Sequence, residues 1–161
     1  MRVDLDAQAL ELIEAGRVVR RFPVSTSAKG AGEREGSEQT PRGRHAIREK
    51  IGAGAAPGTV FAGRVPTGEI CTPERFDAEP ERDWITTRIL WLDGLEPGRN
   101  RGGDRDSHAR YVYIHGTPDE ARLGTPASHG CIRMRDADVA WLFEHVEKGT
   151  IVEIEGEEEA T

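Results

Sequence analysis

The chain has 161 residues, a formal net charge of −7 at pH 7 and a hydrophobic content of 36%. A single domain of this length buries roughly 70% of its unfolded surface, so it needs no disulfide or metal for stability. The negative charge disfavours nucleic acid and anionic membranes as general partners. No run of residues approaches the ~20 apolar positions of a transmembrane helix.

The start of the sequence lacks the features of a secretory signal peptide. Residues 1–16 contain no positive n-region, no apolar h-region and no small-residue cleavage site. We therefore expect a cytoplasmic protein if Met1 is the native start. If the chain is a trimmed mature domain, a periplasmic or cell-envelope location is expected instead.

The first half of the chain predicts strands separated by loops. Residues 10–24 predict two strands around a Glu-Ala-Gly turn. Residues 27–44 are rich in glycine and charge, which predicts a long surface loop that ends in the turn 40–43. A short strand is expected at 45–48, and residues 52–68 are again rich in glycine and proline.

The second half predicts a buried strand at 85–92, which is β-branched and almost continuously apolar. Residues 93–109 contain almost no apolar side chain, which is typical of a lid or binding loop. A further strand is predicted at 111–115. Its alternation places three side chains on one face: Tyr111, Tyr113 and His115.

A helix is predicted at 136–149, because apolar side chains recur at helical spacing and Gly149 provides a stop. A last strand follows at 150–154, and residues 156–161 form an acidic tail. Together these elements predict a mostly β (α+β) fold with one or two helices. Residues 1–155 are expected to form a single domain.

The segment SHGCIRM, residues 128–134, holds a candidate nucleophile, Cys131. Catalysis by a thiol requires a base, a group that orients the base, and donors for the oxyanion. Gly130 lets the backbone approach a substrate closely. Cys131 also precedes the predicted helix, whose positive end is expected to lower the pKa of the thiol. His115 and His129 are nearby candidate bases.

Two less specific interpretations remain open on the residues alone. The proximity of Cys131 to histidine can result from packing, or the cluster can bind zinc with His108 as a further ligand. The single-residue gap between His129 and Cys131 is tighter than usual zinc-ligand spacings, so we expect no metal or other cofactor. The second cysteine, Cys71, has no histidine near it and is expected to be an incidental small hydrophobe.

HGT (115–117), a variable loop and SHGCIRM resemble the signature of YkuD-type L,D-transpeptidase catalytic domains. That signature is a histidine, a loop, Ser/Thr-His-Gly-Cys, an apolar residue and Asn or Arg. The resemblance covers roughly residues 2–155. Three other segments also resemble parts of that domain: FPVSTS (22–27), TPRGRHAI (40–47) and the closing helix and strand (136–154).

The resemblance implies a β-sandwich-like fold of mixed sheets, with the cysteine at the end of a cleft. It implies cleavage of the bond between the L-centre of a diamino acid and the terminal D-Ala of a tetrapeptide stem. The implied partners are peptidoglycan stem peptides or muropeptides. Carbapenem-type β-lactams are the implied inhibitors.

The resemblance also implies roles for individual residues. Cys131 would be the nucleophile that forms an acyl-enzyme, and His115 would be the base. A backbone carbonyl near Gly116 would orient that base. The implied oxyanion donors are the backbone N–H groups of His129, Gly130 and Cys131, while Ser128 and the His129 side chain would line the pocket.

Two further side chains are candidates for substrate binding. The planar fork of Arg133 suits a substrate carboxylate, although a solvated or scaffold-pairing arginine is an alternative. Tyr113 lines the cleft or belongs to the core. Four other arginines are expected to be solvated: Arg88, Arg99, Arg101 and Arg105.

The second step of the reaction stays open at this point. Family members that lack an export signal are associated with cytosolic L,D-carboxypeptidase activity in muropeptide recycling, where water replaces the acceptor amine. A non-catalytic module that binds wall peptides is a further alternative. The presence of both His115 and Cys131 argues against that alternative, since binding alone requires neither.

Overall fold

The computed structural model describes residues 1–156, in which β-strands dominate. Neither helix in this part of the chain has the length and apolar character to span a bilayer. Short 3₁₀ turns lie at Gly103–Arg105 and Glu120–Arg122. In chain order the strands and helices are β1 (Arg2–Asp4), β2 (Ala9–Glu14), β3 (Arg17–Ser25), β4 (Gly43–Ile51), β5 (Thr59–Ala62), β6 (Val65–Ile70), α1 (Pro73–Ala78), β7 (Thr86–Gly94), β8 (Tyr113–Thr117), β9 (Ile132–Arg135), α2 (Asp136–His145) and β10 (Ile151–Glu155).

The strands form one mixed sheet in the order β4-β10-β1-β2-β3-β9-β8-β7-β5-β6, and β4 also pairs with β7. This additional pairing closes eight strands on themselves, which removes their free edges. The β5–β6 hairpin extends from β7 outside the closed part. The β1–β10 and β8–β9 pairs are parallel, and the other pairs are antiparallel. The predicted mostly β fold of mixed sheets with two helices is confirmed.

The two faces of β7 and β8 bury different cores. Leu90 and Ile114 point into the main core, which α2 closes. Ile89 and Tyr113 alternate to the other face, where they pack with Phe61 and Trp91 in a smaller cluster. Cys131 contacts this smaller cluster. The fully buried side chains of the main core include Val3, Leu10, Val24, Ile132, Met134, Leu142 and Val152.

Several predicted elements are confirmed. The 10–24 segment forms β2 and β3, and its turn places Ala15 and Gly16 at φ values of 50° and 76°. Those values are typical of a tight hairpin turn of type I′. The 85–92 segment forms β7, and the 150–154 segment forms β10.

Three boundaries were predicted incorrectly. The strand predicted from Tyr111 begins at Tyr113, because Tyr111 has a φ of 56°, which no extended strand accommodates. The second helix ends at His145, and Gly149 lies in the following turn. The short strand predicted at 45–48 is the nine-residue β4, because its ends pair with both β7 and β10.

Other elements were not predicted at all. These are β1, α1 and the β5–β6 hairpin, which begins in the glycine- and proline-rich segment 52–68 and ends at Ile70. The acidic tail that was predicted at 156–161 lies, beyond Gly156, outside the described residues.

The loop predicted at 93–109 begins after Gly94 and is anchored to the fold. Asn100 is fully buried, and its amide donates to the carbonyls of Arg42 and Arg44 at 3.0 and 3.2 Å. Ser107 is also fully buried, with its hydroxyl 2.8 Å from Nε2 of His45. The loop is therefore held against β4 by buried polar groups.

Truncation of the core at β7 tests this architecture. Leu90→Ala removes a fully buried side chain, so we expect the free energy of unfolding to fall by about 2–5 kcal/mol. Val65→Ala on the outermost strand is the control, since Val65 is 62% exposed, and its cost should stay within about 0.5 kcal/mol. Urea denaturation measures both values, and equal losses would contradict the core assignment.

Candidate active site

A cavity of about 500 Å³ lies beside Cys131. It opens on the side of β8 and β9 that faces away from the main core, because Ile114 and Ile132 pair with each other and point into that core. His115 and Gly116 are not among the residues that line the cavity, and both are almost completely buried. The predicted site residues that line the cavity are Tyr113, Ser128, His129, Gly130, Cys131 and Arg133.

The parallel pairing of β8 with β9 brings the nucleophile and base candidates to one face. His115 pairs with Arg133, so both share the face opposite to Ile114 and Ile132. Cys131 lies two positions before Arg133, and its Sγ accepts from the backbone N–H of Tyr113 at 3.4 Å. Tyr113 is two positions before His115, a separation of about 7 Å along a strand.

His115 is held in one tautomer by its neighbour. Its Nδ1 lies 2.7 Å from the carbonyl oxygen of Gly116. A carbonyl can only accept, so Nδ1 carries the proton and the lone pair of neutral imidazole lies on Nε2. Burial lowers the pKa of His115 to about 4, against an opposing contribution from the Gly116 hydrogen bond. At neutral pH this imidazole is therefore an uncharged proton acceptor.

Gly116 occupies a position that admits no side chain. A Cβ there would overlap the Asp136 carboxylate and the Thr86 carbonyl. Asp136 accepts a 2.6 Å hydrogen bond from the hydroxyl of Thr86, and burial raises the pKa of its carboxyl group. Thr86 and Asp136 thus clamp the residue that orients His115. The sequence carried no signal for this, since Asp136 resembles any acidic residue in a first helical turn.

The Cys131 thiol is protonated in the resting site. Burial raises its pKa to about 12, and the negative charge of Asp83 adds to this effect. Three groups lower the pKa of the thiol, each by less than burial raises it: the Tyr113 N–H, Arg133 and Arg110. The sequence-based expectation of a lowered pKa was wrong, because β9 separates Cys131 from α2, which begins only at Asp136.

The backbone before Cys131 is fixed by hydroxyl groups. Ser128 Oγ donates to the Cys131 carbonyl at 2.6 Å and accepts from the Gly130 N–H at 3.2 Å. Thr40 Oγ1, fully buried, donates to the Gly130 carbonyl at 3.0 Å. Gly130 has a φ of 128°, which disfavours any other residue. Thr40, predicted only as part of a turn, is therefore a support of this loop.

A family model of the YkuD L,D-transpeptidase catalytic domain matches residues 1–154. The chain belongs to this family. It is 29% identical over 107 residues to the putative L,D-transpeptidase YciB of Bacillus subtilis, covering 59% of this chain and 52% of that protein. The chain therefore spans about half the length of this relative.

Solved structures of L,D-transpeptidases share the fold of this YkuD domain. The complex of LdtMt1 with imipenem has a TM-score of 0.56 at 19% identity, covering 96% of this chain and 57% of that one. L,D-transpeptidase 3 of Mycobacterium tuberculosis, in complex with a faropenem-derived adduct, has a TM-score of 0.54 at 15% identity. The match covers 96% of this chain and 58% of that chain.

The other two predicted pocket residues of the YkuD domain have polar partners. The His129 side chain is 58% exposed, with Nδ1 3.7 Å from Asp83 Oδ1. The phenol oxygen of Tyr113 accepts from Arg64 Nη1 at 3.0 Å. Arg64, which sequence reasoning missed, also stacks over the ring of Trp91.

The remaining candidates lie elsewhere. Cys71 lies before α1 and is partly exposed, and burial raises its pKa. His108 stacks on Trp91 with ring centroids 4.0 Å apart. Arg88 is not solvated as predicted, because it is buried and donates to the carbonyls of Ala55 and Thr87. Within residues 1–156, no three His, Cys, Asp or Glu side chains are grouped to hold a metal ion.

Gly116→Ala tests the clamp behind His115. We expect the free energy of unfolding to fall by about 2–3 kcal/mol, because the new Cβ meets backbone that cannot move aside. Gly32→Ala is the control, since the three atoms nearest to its Cβ all belong to the Gln39 side chain instead of the backbone, and its cost should stay within about 1 kcal/mol. Urea denaturation measures both, and equal costs would contradict the clamp.

The pH dependence of stability tests the burial of His115. Folded His115 titrates near pH 4, whereas the unfolded residue titrates near pH 6.5. Between these two pH values the unfolded chain binds this proton and the folded chain does not. The free energy of unfolding therefore falls by about 3 kcal/mol as the pH drops from about 6.5 to about 4. Above pH 6.5 this contribution is fully present.

His115→Asn removes this titration but keeps an N–H donor for the Gly116 carbonyl. We expect its loss of stability between pH 7 and pH 4, measured by urea denaturation, to be about 3 kcal/mol smaller than that of the wild type. His45, whose pKa is also lowered by burial, titrates in both proteins and cancels in the comparison. An unchanged pH dependence would show that His115 is not buried as described.

Proposed function

We propose that this YkuD domain cleaves the bond between the L-centre of a diamino acid and the terminal D-Ala of a tetrapeptide stem, through an acyl-enzyme on Cys131. One observation carries the proposal. A buried, uncharged His115, with its Nδ1 proton directed at the Gly116 carbonyl, pairs across the sheet with Arg133, two positions after a cysteine that lines an open cavity. The resting thiol donates to the Tyr111 carbonyl at 3.4 Å, so its proton must turn from that carbonyl towards Nε2 of His115 for the base to act.

In the first step, Sγ of Cys131 attacks the carbonyl carbon of the scissile bond while Nε2 of His115 accepts the thiol proton. Burial raises the pKa of Cys131 and lowers that of His115, so both shifts oppose proton transfer ahead of attack. Proton transfer and formation of the C–S bond therefore proceed together. No thiolate accumulates in the free protein.

The tetrahedral intermediate places negative charge on the former carbonyl oxygen, which backbone N–H groups beside Cys131 stabilise. The Gly130 N–H already donates to Ser128 Oγ, so His129 and Cys131 supply the main donors. Collapse of the intermediate breaks the C–N bond. Protonated His115 then gives its proton to the leaving nitrogen of D-Ala, and a thioester on Cys131 remains.

In the second step, an amine or water attacks the thioester, and His115 accepts the proton of that nucleophile. The C–S bond breaks and the proton returns to Sγ, which restores the thiol. An amine gives transpeptidation or exchange of a D-amino acid, whereas water gives L,D-carboxypeptidase activity. Both outcomes use the same acyl-enzyme, so Cys131 and His115 serve either.

Solved relatives support the covalent step and the proposed inhibitors. One L,D-transpeptidase is in complex with imipenem, and another with a faropenem-derived adduct. In this domain a carbapenem carbonyl would meet Cys131 at the same cavity as the stem peptide. We therefore propose carbapenem-type β-lactams as inhibitors of this chain.

Cys131→Ser and Cys71→Ser form a matched pair for testing the acyl-enzyme, since both cysteines are partly exposed. Wild type and Cys71→Ser should gain the mass of one carbapenem and release D-Ala from a tetrapeptide muropeptide. Cys131→Ser should lose at least about 1,000-fold in rate, because the hydroxyl is a far weaker nucleophile at this pH. Intact-protein mass spectrometry and product analysis measure both. The absence of both an adduct on the wild type and a release of D-Ala would contradict the proposal.

A second assay separates the two acceptors. The tetrapeptide is incubated with and without a D-amino acid, and the products are weighed. Tripeptide alone in both samples indicates water as the acceptor, while a new tetrapeptide with the added D-amino acid indicates an amine.

A further inference from the structure

We propose that Asp83 occupies the place on Arg133 that a ligand carboxylate takes, so that carboxylate ligands of the cavity must displace it. The ligand carboxylate would be that of a stem peptide. Only this identification of the ligand rests on the proposed function. Asp83 then acts as a built-in competitor that determines how strongly the site favours anionic ligands.

Arg133 presents a guanidinium group that is only partly used. Its side chain is 9% exposed, and its Nη2 lies 3.2 Å from Asp83 Oδ1. Its Nε is buried and has no hydrogen-bond partner within residues 1–156. A guanidinium group binds a carboxylate best through two parallel hydrogen bonds. Asp83 supplies one of them and leaves the Nε donor unsatisfied.

Asp83 itself is far more accessible than its partner. Its side chain is 52% exposed, and its other contact is a 3.7 Å approach to His129, which is also exposed. An ion pair with one partly exposed partner contributes little to the stability of the fold. Its neighbour Trp84 is buried and donates to the Glu79 carbonyl, which anchors the chain next to Asp83.

Besides the Glu35 carboxylate, two other charged groups line the cavity, and both are already engaged. Arg110 donates to the Gly32 carbonyl, Ser37 Oγ and the Gln39 carbonyl. The Glu38 carboxylate pairs with Lys29 at 2.9 Å. Arg133 is therefore the cationic lining residue that retains an unsatisfied buried donor, and it lies two positions from Cys131 in the chain.

Alkylation of Cys131 by two small reagents tests the inference without any wall peptide or turnover. Iodoacetate carries a carboxylate, and iodoacetamide is its neutral analogue. Both require the same thiolate, so the ratio of their rate constants is independent of the thiol pKa. The ratio is measured on Cys131 in a Cys71→Ser background, at one pH and one salt concentration. A chain that fails to process stem peptides still gives this readout.

Asp83→Asn should raise the iodoacetate-to-iodoacetamide ratio by about three- to tenfold, the effect of removing one charge a few ångströms away at a partly solvated site. Glu81→Gln is the control, because Glu81 lies on the same loop, is 81% exposed and approaches Arg122 instead. It should leave the ratio within about twofold of the parent value.

An unchanged or lower ratio in Asp83→Asn would overturn the inference. A gain of the same size in Glu81→Gln would also overturn it, since the effect would then come from net charge. The double variant Asp83→Asn/Arg133→Gln should lose the gain. If the folded double variant keeps it, Arg133 is not the carboxylate ligand.

Discussion

The hydrogen bond from His115 Nδ1 to the Gly116 carbonyl is the interaction on which the rest of the site depends. It fixes the tautomer, so the basic nitrogen is Nε2, and it does so without an acidic partner. Gly116 in turn is enclosed by Thr86 and Asp136, which leave no room there for a side chain. The closed sheet thus positions this imidazole with backbone and buried polar groups alone.

Desolvation decides the charge state of this site. It outweighs every favourable contact in lowering the pKa of His115 and in raising that of Cys131. The resting pair is consequently a thiol and a neutral imidazole, not a thiolate and an imidazolium ion. A neutral pair needs no counter-ion in a buried setting, where an isolated charge is costly. It also limits indiscriminate alkylation, since the thiolate is the reactive species.

The nucleophile and base candidates were accessible from the sequence, because each lies in a short local motif. The hairpin at 10–24 and the buried strand at 85–92 were accessible for the same reason, since alternation and turn residues are local signals. The supports of the site were not. Thr40, Thr86 and Asp136 act through strand register and close packing between segments far apart in the chain, and one sequence does not show such contacts.

Burial also explains the errors about charge. The motif suggested a lowered thiol pKa, but a motif does not show how densely protein surrounds a sulfur atom, nor that β9 intervenes before α2. The sequence predicted a solvated Arg88, because arginine side chains are usually exposed. In the structure the carbonyls of Ala55 and Thr87 accept its hydrogen bonds and allow it to be buried.

The geometry makes His115 an uncharged imidazole that carries its proton on Nδ1. Nitrogen-15 NMR of the His115 ring at pH 7 tests it most directly. The predicted spectrum shows a protonated Nδ1 and an unprotonated Nε2, with no change down to about pH 5, since the pKa lies near 4. A doubly protonated ring at pH 7, or a proton on Nε2, would contradict the claim.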